Sequence, residues 1–439
     1  MPIPSMPKSS STSTSRSASL SSILPLLLTW VLAGGCGKDS SPTSIDSHAA
    51  PAGLAILASD YKKTSVTLLD PSSIGNPASP ALTDCLHSGD PTVLQPLSGD
   101  VSLPSQAQQE GELVLIDRGS SVLTFVDPST CVPRGQLSVS TGGLQANPRD
   151  VIRLSAHKAY VSRYTTNATP TDDPLDFDEG DDLLVVDPLA IGPGQTPILK
   201  RIALSGYATS VPGTTIQARP DRGILVDGKV YLTLGNLDEK YSAAGAGRIV
   251  VIDPASDTVV DVIELPEQKG CSGIDYVAAT HRLYVSCQGG TFNDADAVAT
   301  SALVEINLSG EKPSLGRSVL ASALGATPIN LSSVAVLGET AFVGTWGALD
   351  PATGAMTAPD KFYAVALGTG AATLLLQGGA FNFGRANVDS VRKKVFLPDG
   401  DAARPSVHVF DGSGDSIVAV ESFDADPAAH LPPREIAWY

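Results

Sequence analysis

Short aliphatic runs that end in an Asp-Pro-like turn recur seven times along this chain, and each follows a segment of the Lys-Val-Tyr-Leu-Thr type. The seven runs are 66–71 (VTLLDP), 123–128 (LTFVDP), 183–188 (LLVVDP), 249–254 (IVVIDP), 303–308 (LVEINL), 362–367 (FYAVAL) and 406–412 (SVHVFDG). A spacing of roughly 45 to 65 residues, with several short strands per unit and no helical period between them, is typical of stacked four-stranded sheets. The pattern therefore predicts an all-β fold, a seven-bladed β-propeller of four-stranded antiparallel blades.

The two ends of the chain predict how the ring closes. Residues 433–439 (PREIAWY) match the start of an innermost strand at 148–153 (PRDVIR), but no further strands follow them. Residues 53–86 supply three outer strands with no innermost strand before them. We therefore expect the C-terminal strand to complete the N-terminal blade, which removes open sheet edges.

Composition adjusts this picture in two ways. A chain of 439 residues suggests two or three domains, but a continuous repeat overrides that expectation and favours one propeller domain over residues 52–439. The formal net charge of −17 argues against nucleic acid as a partner, since binding to phosphates needs clustered Lys and Arg. We interpret the negative charge mainly as a means of solubility.

The N-terminal segment has the pattern of an export signal. Residues 1–35 contain Lys8 and Arg16, no acidic residue, and the apolar run 23–33, which is too short to remain as a membrane-spanning helix. The small residues before Cys36 resemble a bacterial lipoprotein signal, although Ala33 stands where that pattern prefers a larger aliphatic residue. A plain secretory signal is the alternative.

The resemblance implies that Cys36 is acylated and that residues 36–51 form a flexible tether with a reach of roughly 20 Å. Gly37 follows the cysteine where the inner-membrane retention signal has Asp, so the resemblance favours outer-membrane sorting. We expect a monomer in the bacterial cell envelope, at the outer membrane or in the periplasm, held to the membrane by its lipid anchor alone.

The remaining four cysteines suit an oxidising compartment. Cys271 and Cys287 lie at opposite ends of a predicted hairpin and are expected to pair across it. Cys85 and Cys131 are expected to link the outer strands of the first two blades. Neither pair has CxxC spacing and the six His are scattered, so no zinc site is visible.

The hairpin of the first and second strands is clearest in 222–233 (RGILVDGKVYLT), where Asp227-Gly228 marks a tight turn. Similar hairpins are predicted at 149–162, 273–286, 330–344 and 387–397. The second strands carry Tyr160-Val161-Ser162, Tyr231-Leu232-Thr233 and Tyr284-Val285-Ser286, with Phe342 and Phe396 at the Tyr position of two other blades. This unit resembles the YVTN-type propeller repeat over nearly all of residues 52–439.

The connections between second and third strands are long in four consecutive blades, near 165–182, 235–247, 288–301 and 346–360. Long loops on a rigid scaffold commonly carry binding and catalysis, so we expect the functional site on the face where these loops emerge. Three aromatic residues lie in or beside them and could stack on a sugar or peptide: Tyr241, Phe292 and Trp346. Packing of the loops on one another explains them equally well.

An arginine recurs near the entrance to the innermost strands, at Arg149, Arg222, Arg385 and Arg434. These strands line the central channel, so the guanidinium groups are candidates for binding a carboxylate or phosphate at its mouth. The alternative is that each arginine pairs with a nearby acid and braces adjacent blades; the acids are Asp150, Asp221, Asp389 and Glu435.

The loop 172–182 (DDPLDFDEGDD) is the densest acidic stretch. Asp176, Asp178 and Asp182 alternate in a way that could offer oxygens to calcium, but the loop departs from the EF-hand pattern. A solvated acidic loop is the simpler interpretation. No other cofactor is expected.

Catalytic motifs are absent from the sequence: it has no Gly-x-Ser-x-Gly, HExxH, P-loop or Rossmann pattern. We therefore favour an exported, membrane-tethered binding or scaffold module whose partner is an envelope protein, a glycan or a small anion. The alternative is a lactonase-like hydrolase with its site at the mouth of the channel, by analogy of fold only. A purely structural role in an envelope assembly is the third hypothesis.

Overall fold

A computed structural model describes residues 53–75, 80–108, 111–291, 295–350 and 352–439. The expected signal segment, Cys36, the tether and Phe292 lie outside the described residues. Within them, seven four-stranded antiparallel sheets form a ring, which confirms the β-propeller. Each sheet is one blade, and its strands are given below from the central axis outward.

The first four blades contain the following strands. Blade 1 comprises β32 (Pro433–Trp438), β1 (Leu54–Ser59), β2 (Thr64–Asp70) and β3 (Ala81–His87). Blade 2 comprises β4 (Val101–Ser102), β5 (Leu113–Asp117), β6 (Val122–Asp127) and β7 (Val132–Ser138). Blade 3 comprises β8 (Pro148–Ser155), β9 (Lys158–Thr166), β10 (Gly180–Val186) and β11 (Ile198–Ala203). Blade 4 comprises β13 (Pro220–Val226), β14 (Lys229–Leu234), β16 (Ala246–Asp253) and β17 (Thr258–Lys269).

The other three blades repeat the arrangement. Blade 5 comprises β18 (Cys271–Val277), β19 (Arg282–Gln288), β20 (Ser301–Asn307) and β21 (Ser314–Leu320). Blade 6 comprises β22 (Ala335–Leu337), β23 (Thr340–Thr345), β26 (Lys361–Ala366) and β27 (Ala372–Gln377). Blade 7 comprises β28 (Asn387–Asp389), β29 (Lys394–Asp399), β30 (Ser406–Asp411) and β31 (Val418–Phe423). All seven aliphatic runs of the sequence fall on third strands, as predicted.

Minor elements decorate the loops. Two small hairpins pair β12 (Ile216–Gln217) with β15 (Leu237–Asp238) and β24 (Ala348–Leu349) with β25 (Met356–Ala358). The helical segments are α1 (Ala297–Thr300) and 3-10 turns at Pro71–Ser73, Ser205–Tyr207, Ala278–Thr280 and Ala321–Leu324. No helix in the described ranges is both long and apolar enough to cross a bilayer.

The C-terminal strand closes the ring as predicted. Ile436 of β32 pairs with Ile56 of β1 in an antiparallel register that runs from Leu54↔Trp438 to Ala58↔Pro433. On its other side, the Trp438 indole donates a hydrogen bond of 2.8 Å to the Val388 carbonyl of blade 7. β32 therefore joins the last blade to the first.

The hydrophobic core is divided among the interfaces between blades. Seven buried clusters in the described residues each combine side chains from two neighbouring blades, including one between blades 7 and 1. Along β16, Ile249 and Val251 face blade 5, whereas Val250 and Ile252 face blade 3. A strand buried on both faces needs apolar residues at every position, which explains the continuous aliphatic runs in the sequence.

The Asp that ends these runs has a local structural role. In six blades the side chain of this residue accepts a hydrogen bond from the backbone N–H two positions later; the residues are Asp70, Asp127, Asp187, Asp253, Asn307 and Asp411. Such Asx turns reverse the chain between the third and fourth strands. Blade 6 has Ala366 at this position.

Both expected disulfides are present. Cys271 and Cys287 are directly opposite each other in β18 and β19, with Cα atoms 3.8 Å apart. Cys85 on the outermost strand of blade 1 is bonded to Cys131, which immediately precedes the outermost strand of blade 2, with Cα atoms 5.1 Å apart. The second bond ties two blades together at their outer edge.

A segment that no sequence pattern predicted crosses the central channel. Blade 2 has an innermost strand of only two residues, after which residues 103–108 leave the sheet. Leu103 bonds to blades 1, 4 and 7, Ser105 bonds to Asp150 of blade 3, and Gln106 bonds to Leu225 of blade 4. Because the innermost strands of these blades surround the axis, residues 103–108 form a plug across the channel.

Truncating Ile436 to alanine tests how much ring closure contributes to stability. Ile436 is fully buried in the core between blades 7 and 1. Ile436→Ala should lower the free energy of unfolding in urea by roughly 2–5 kcal/mol, because it removes transfer energy and leaves a cavity. Val418→Ala, on the exposed outermost strand of blade 7, should change it by less than about 0.5 kcal/mol. Equal, small effects of both variants would show that closure by β32 contributes little.

Candidate functional site

The long loops emerge together on one face of the propeller. The second and third strands are joined by residues 167–179 in blade 3, 235–245 in blade 4, 289–300 in blade 5 and 346–360 in blade 6. The corresponding connections in blades 1, 2 and 7 span only 60–63, 118–121 and 400–405. The difference gives this face a wall on one side of the axis.

A cavity of about 300 Å³ opens on this face at the mouth of the channel. Its charged lining consists of five arginines and two carboxylates, namely Arg118, Arg149, Arg222, Arg385, Arg434, Asp100 and Glu435. The lining thus carries a formal charge of +3 (five positive, two negative) in a chain whose net charge is −17. All four arginines singled out from the sequence are brought together here.

Arg222 and Arg385 form ion pairs and hydrogen bonds at the floor of the cavity, where the plug crosses the channel. Arg222 and Arg385 contact the two carboxylate oxygens of Glu435 at 3.3 Å and 3.4 Å, respectively. Both guanidinium groups also donate to the Leu103 carbonyl of the plug, at 2.6 Å from Arg222 and 3.1 Å from Arg385. These two arginines therefore pair with an acid, as the bracing alternative expects, but they brace the plug rather than two adjacent blades.

This cluster shifts the pKa values of its members. Burial by itself would raise the pKa of Glu435, but Arg222 and Arg385 outweigh it and lower that pKa to about 2. Burial, together with the neighbouring Arg222, lowers the pKa of Arg385 to about 10. Glu435 is therefore an anion at neutral pH and serves as the counter-ion of the floor.

Arg149 and Arg434 are arranged differently. The Arg149 guanidinium lies 4.2 Å from the centre of the Tyr164 ring, and that of Arg434 lies 4.9 Å from the centre of the Tyr61 ring. Arg434 donates through Nε to the Ser59 carbonyl at 3.0 Å. In the described residues neither guanidinium has an ion-pair partner within 4.0 Å, and Arg149 makes no hydrogen bond. Their remaining N–H groups are available at the cavity.

Arg149 is the inner end of a stack that reaches the surface. Arg219 lies between two tyrosines, 5.0 Å from the centre of the Tyr164 ring and 4.5 Å from that of Tyr241. The two tyrosine rings are nearly parallel, at 8°. Tyr241, a residue expected to bind ligand, is therefore part of the support of Arg149 and is 46% exposed at the outer end.

Longer-range charge also acts on Arg149. Burial tends to lower its pKa, but the Asp221 carboxylate and nearby tyrosines outweigh burial, so the pKa is raised. Asp221 is itself buried, and burial raises its pKa despite the nearby Arg149 and Arg222. Asp221 lies 3.8 Å from Arg222, and its Oδ1 accepts no hydrogen bond within the described part of the chain.

Two aromatic side chains, Trp346 and Phe381, form an aromatic wall of the cavity. Trp346 lines the cavity and packs against Phe381, with ring centres 5.3 Å apart. Asp360 organises the two segments that carry Trp346 and Phe381. It is fully buried and accepts hydrogen bonds from the backbone N–H groups of Gly347, Phe381, Asn382 and Phe383. Phe381 has a φ of 62°, an unusual value for an aromatic residue that Asp360 holds in place.

Asp360 illustrates a device that recurs in other blades. A polar side chain at or just before the third strand accepts N–H groups from the segment leading into the next blade. The residues are Ser121, Asp181, Ser301 and Asp360, which cap Ala146, Ala218, Ile329 and Phe381. This polar position was a signal available in the sequence, and it fixes the segment that leads into each of the following blades.

The three Asp side chains considered for calcium make contacts within and beside the acidic loop. Asp182 is fully buried in ion pairs with Arg163 and Arg201. Asp178 accepts a hydrogen bond from Thr171 N, and Asp176 accepts one from the Thr171 hydroxyl. In the described ranges no group of three or more His, Cys, Asp or Glu side chains could hold a metal ion. The alternating acids are instead used to fold the loop.

Two of the acids considered as arginine partners also have other roles. Asp389 pairs with Arg392, at 2.9 Å, on its own hairpin turn. Asp150 accepts backbone N–H groups of Ser105 in the plug and Gly223 in blade 4. Of the four acids considered, all of which the structure describes, Asp221 and Glu435 contact the recurring arginines.

No protein-family model matches the chain, and no curated protein matches it. Among solved structures, a candidate 6-phosphogluconolactonase of Bacteroides uniformis aligns with a TM-score of 0.53 and 11% identity, over 88% of this chain and 99% of that one. A second, from Bacteroides fragilis, has a TM-score of 0.52 and 11% identity, over 91% and 100%. Hydrazine synthase of Kuenenia stuttgartiensis has a TM-score of 0.50 and 13% identity, over 80% and 90%. At these identities the similarity establishes the fold alone.

Replacing Glu435 tests its role as the counter-ion of the floor. At pH 7, Glu435→Gln should cost roughly 3–5 kcal/mol of unfolding free energy, because it leaves Arg222 and Arg385 buried without their carboxylate. The pKa of Glu435 is lowered from 4.5 to about 2, so its contribution is complete above pH 4.5 and is lost as the pH falls towards 2.

Urea unfolding of wild type and variant from pH 7 to pH 2 measures this contribution. The difference between them should stay constant down to about pH 4.5 and then shrink. Glu311→Gln, at an exposed turn, is the matched control and should follow the wild type. A difference that is absent at pH 7, or that does not shrink below pH 4.5, would contradict this role for Glu435.

Proposed function

We propose that the protein is an exported, membrane-tethered β-propeller that binds a small organic anion in the cavity at the mouth of its channel. The observation that carries the proposal is the pair Arg149 and Arg434. Their guanidinium groups stack on tyrosines, line the cavity and have no carboxylate partner within 4.0 Å among the described residues. Planar guanidinium groups with free N–H edges suit a carboxylate or phosphate.

The surroundings of these arginines support binding. A guanidinium fixed by stacking loses little rotational freedom when a ligand arrives, so more of the interaction energy appears as affinity. The plug lies next to the cavity, since its Leu103 carbonyl accepts hydrogen bonds from Arg222 and Arg385 of the lining. Trp346 and Phe381 offer the organic part of a ligand an apolar surface.

The cellular setting in the proposal rests mainly on the N-terminal sequence. The pattern of residues 1–35 and Cys36 resembles the signal of an exported lipoprotein, and residues 36–51 would tether the propeller to the envelope membrane. The two disulfides support export, because disulfides persist in oxidising compartments. Membership of the YVTN-type repeat family, a monomeric state and outer-membrane sorting belong to the same proposal.

A lactonase-like hydrolase is the second candidate, since two structures of similar fold are candidate 6-phosphogluconolactonases. Asp221 is the residue of this chain that favours it, because a buried carboxylate with a raised pKa can act as a general base. The cavity itself, however, is lined by Asp100 and Glu435, and both are ion-paired. Binding therefore fits the geometry better.

Hydrolysis of δ-gluconolactone, followed by proton release, separates the two candidates. The binding proposal predicts no rate above background for the wild type and for Asp221→Asn alike. A rate that depends on protein concentration and is lost in Asp221→Asn would favour the hydrolase instead.

The anion-binding proposal is tested by thermal shift of the purified protein with succinate, glutarate, gluconate, neutral sugars and calcium. At least one acid should raise the melting temperature. By calorimetry, Arg149→Ala and Arg434→Ala should each weaken its binding roughly 10- to 100-fold, since a charged hydrogen bond contributes about 1.5–3 kcal/mol.

Arg317→Ala is the matched control, because it removes the same charge from an exposed outer strand of blade 5. It should leave the affinity unchanged. If no acid shifts the melting temperature, or if all three variants bind like the wild type, the cavity is not an anion site.

A further inference from the structure

We infer that the ligand carries two separate anionic groups, one bound by Arg149 and the other by Arg434. This inference rests on the proposed function and specifies the class of ligand. It follows from how the positive charges of the cavity are distributed, since the five arginines do not form one cationic patch.

Three of the five arginines have a carboxylate within 4.0 Å. Arg118 is ion-paired with Asp100 in blade 2. Arg222 and Arg385 share Glu435 and are further satisfied by the carbonyl oxygens of the plug. A new anion gains less at these groups, because each already has a carboxylate partner and some of its N–H donors are in use.

The two arginines without such partners are set apart around the ring. Arg434 is the second residue of β32 in blade 1, Arg149 is the second residue of β8 in blade 3, and blade 2 lies between them. The neutralised pair Arg118–Asp100 belongs to that intervening blade. Two positive sites with a neutral ion pair between them suit a ligand that carries two anionic groups better than a ligand that carries a single anionic group.

Each site is supported separately. Arg434 is held by the Ser59 carbonyl and by the Tyr61 ring, whose residue has a φ of 63°. Arg149 is held by Tyr164, behind which Arg219 and Tyr241 complete the stack. Stacking occupies a face of a guanidinium plane and leaves its N–H edge free for a carboxylate.

The support of Arg149 is itself fixed. Arg219 donates to the Asp238 carbonyl at 2.9 Å and to the Tyr241 hydroxyl at 3.2 Å. The guanidinium groups of Arg149 and Arg434 are both held in place before a ligand arrives. The distance between them is therefore fixed, and the site should select diacids by the length of their chain. Tyr164, Arg219 and Tyr241 are therefore positioning residues, which act through Arg149.

Calorimetric titration with matched diacids and half-esters tests the inference. The probes are succinate, glutarate and adipate, each compared with its monomethyl ester, which has the same chain but one charge. The best diacid should bind the wild type at least 10-fold more tightly than its ester. In Arg149→Ala or Arg434→Ala the ratio of diacid to ester affinity should fall to less than about 2-fold, because only one of the two guanidinium groups remains to bind an anionic group.

Additional variants separate a binding role from a structural one. Arg149→Lys keeps the charge but loses the fork and the planar stack, so it should recover only part of the diacid advantage. Tyr241→Leu should reduce the ratio of diacid to ester affinity and leave the affinity for the ester unchanged. A merely structural role of Tyr241 would not change one affinity without the other. Arg317→Ala should retain the full advantage, and melting temperatures should show that all variants are folded.

The outcomes distinguish the two proposals. If diacid and ester bind the wild type equally, the site recognises one anion; the two-anion inference is then wrong and the proposed function stands. If neither class binds at all, the proposed function fails and this inference fails with it. If the advantage persists in both alanine variants, the second anion is bound elsewhere than at these two arginines.

Discussion

Apolar burial on both faces of every blade is the constraint on which this structure depends. A blade cannot be stable alone, since each of its faces needs a neighbour, and seven inter-blade cores satisfy that need only when the ring is complete. The strand β32 carries this closure, because Ile436 fills the core between the last and first blades. Chain ends that are distant in sequence are thereby joined in one sheet.

Ring closure also creates the site. Innermost strands converge on the axis, so side chains that are far apart in the sequence meet there. The plug of residues 103–108 uses part of this space and attracts two arginines and Glu435 to its carbonyl and amide groups. The charge of the two arginines that hold the plug is partly balanced by Glu435. Arg149 and Arg434 line the same cavity and have no carboxylate within 4.0 Å among the described residues.

The four recurring arginines show how equivalent sequence positions acquire different roles. Arg149 and Arg434 are the second residues of their strands and follow a proline, whereas Arg222 is the third residue of β13 and Arg385 precedes β28. The shift changes which groups each side chain can reach. Tyrosines lie beside the first pair, and the plug and Glu435 lie beside the second pair. From the sequence all four positions look alike, and bracing and ligand binding are both open; the structure shows pairing with a carboxylate at Arg222 and Arg385, and ligand binding at Arg149 and Arg434 is our proposal.

The sequence by itself determined the number of blades, the position of the third strands, the closure by β32 and both disulfides. These depend on local patterns, since a strand buried on both faces must be apolar throughout and an Asx turn needs its Asp. Only the tertiary structure decided which arginines are neutralised, that Asp182 belongs to buried ion pairs, that Asp360 organises the aromatic wall and that residues 103–108 cross the channel. Those features depend on contacts between segments that are distant in the sequence. A repeat pattern that all blades share does not predict which side chains meet at the axis.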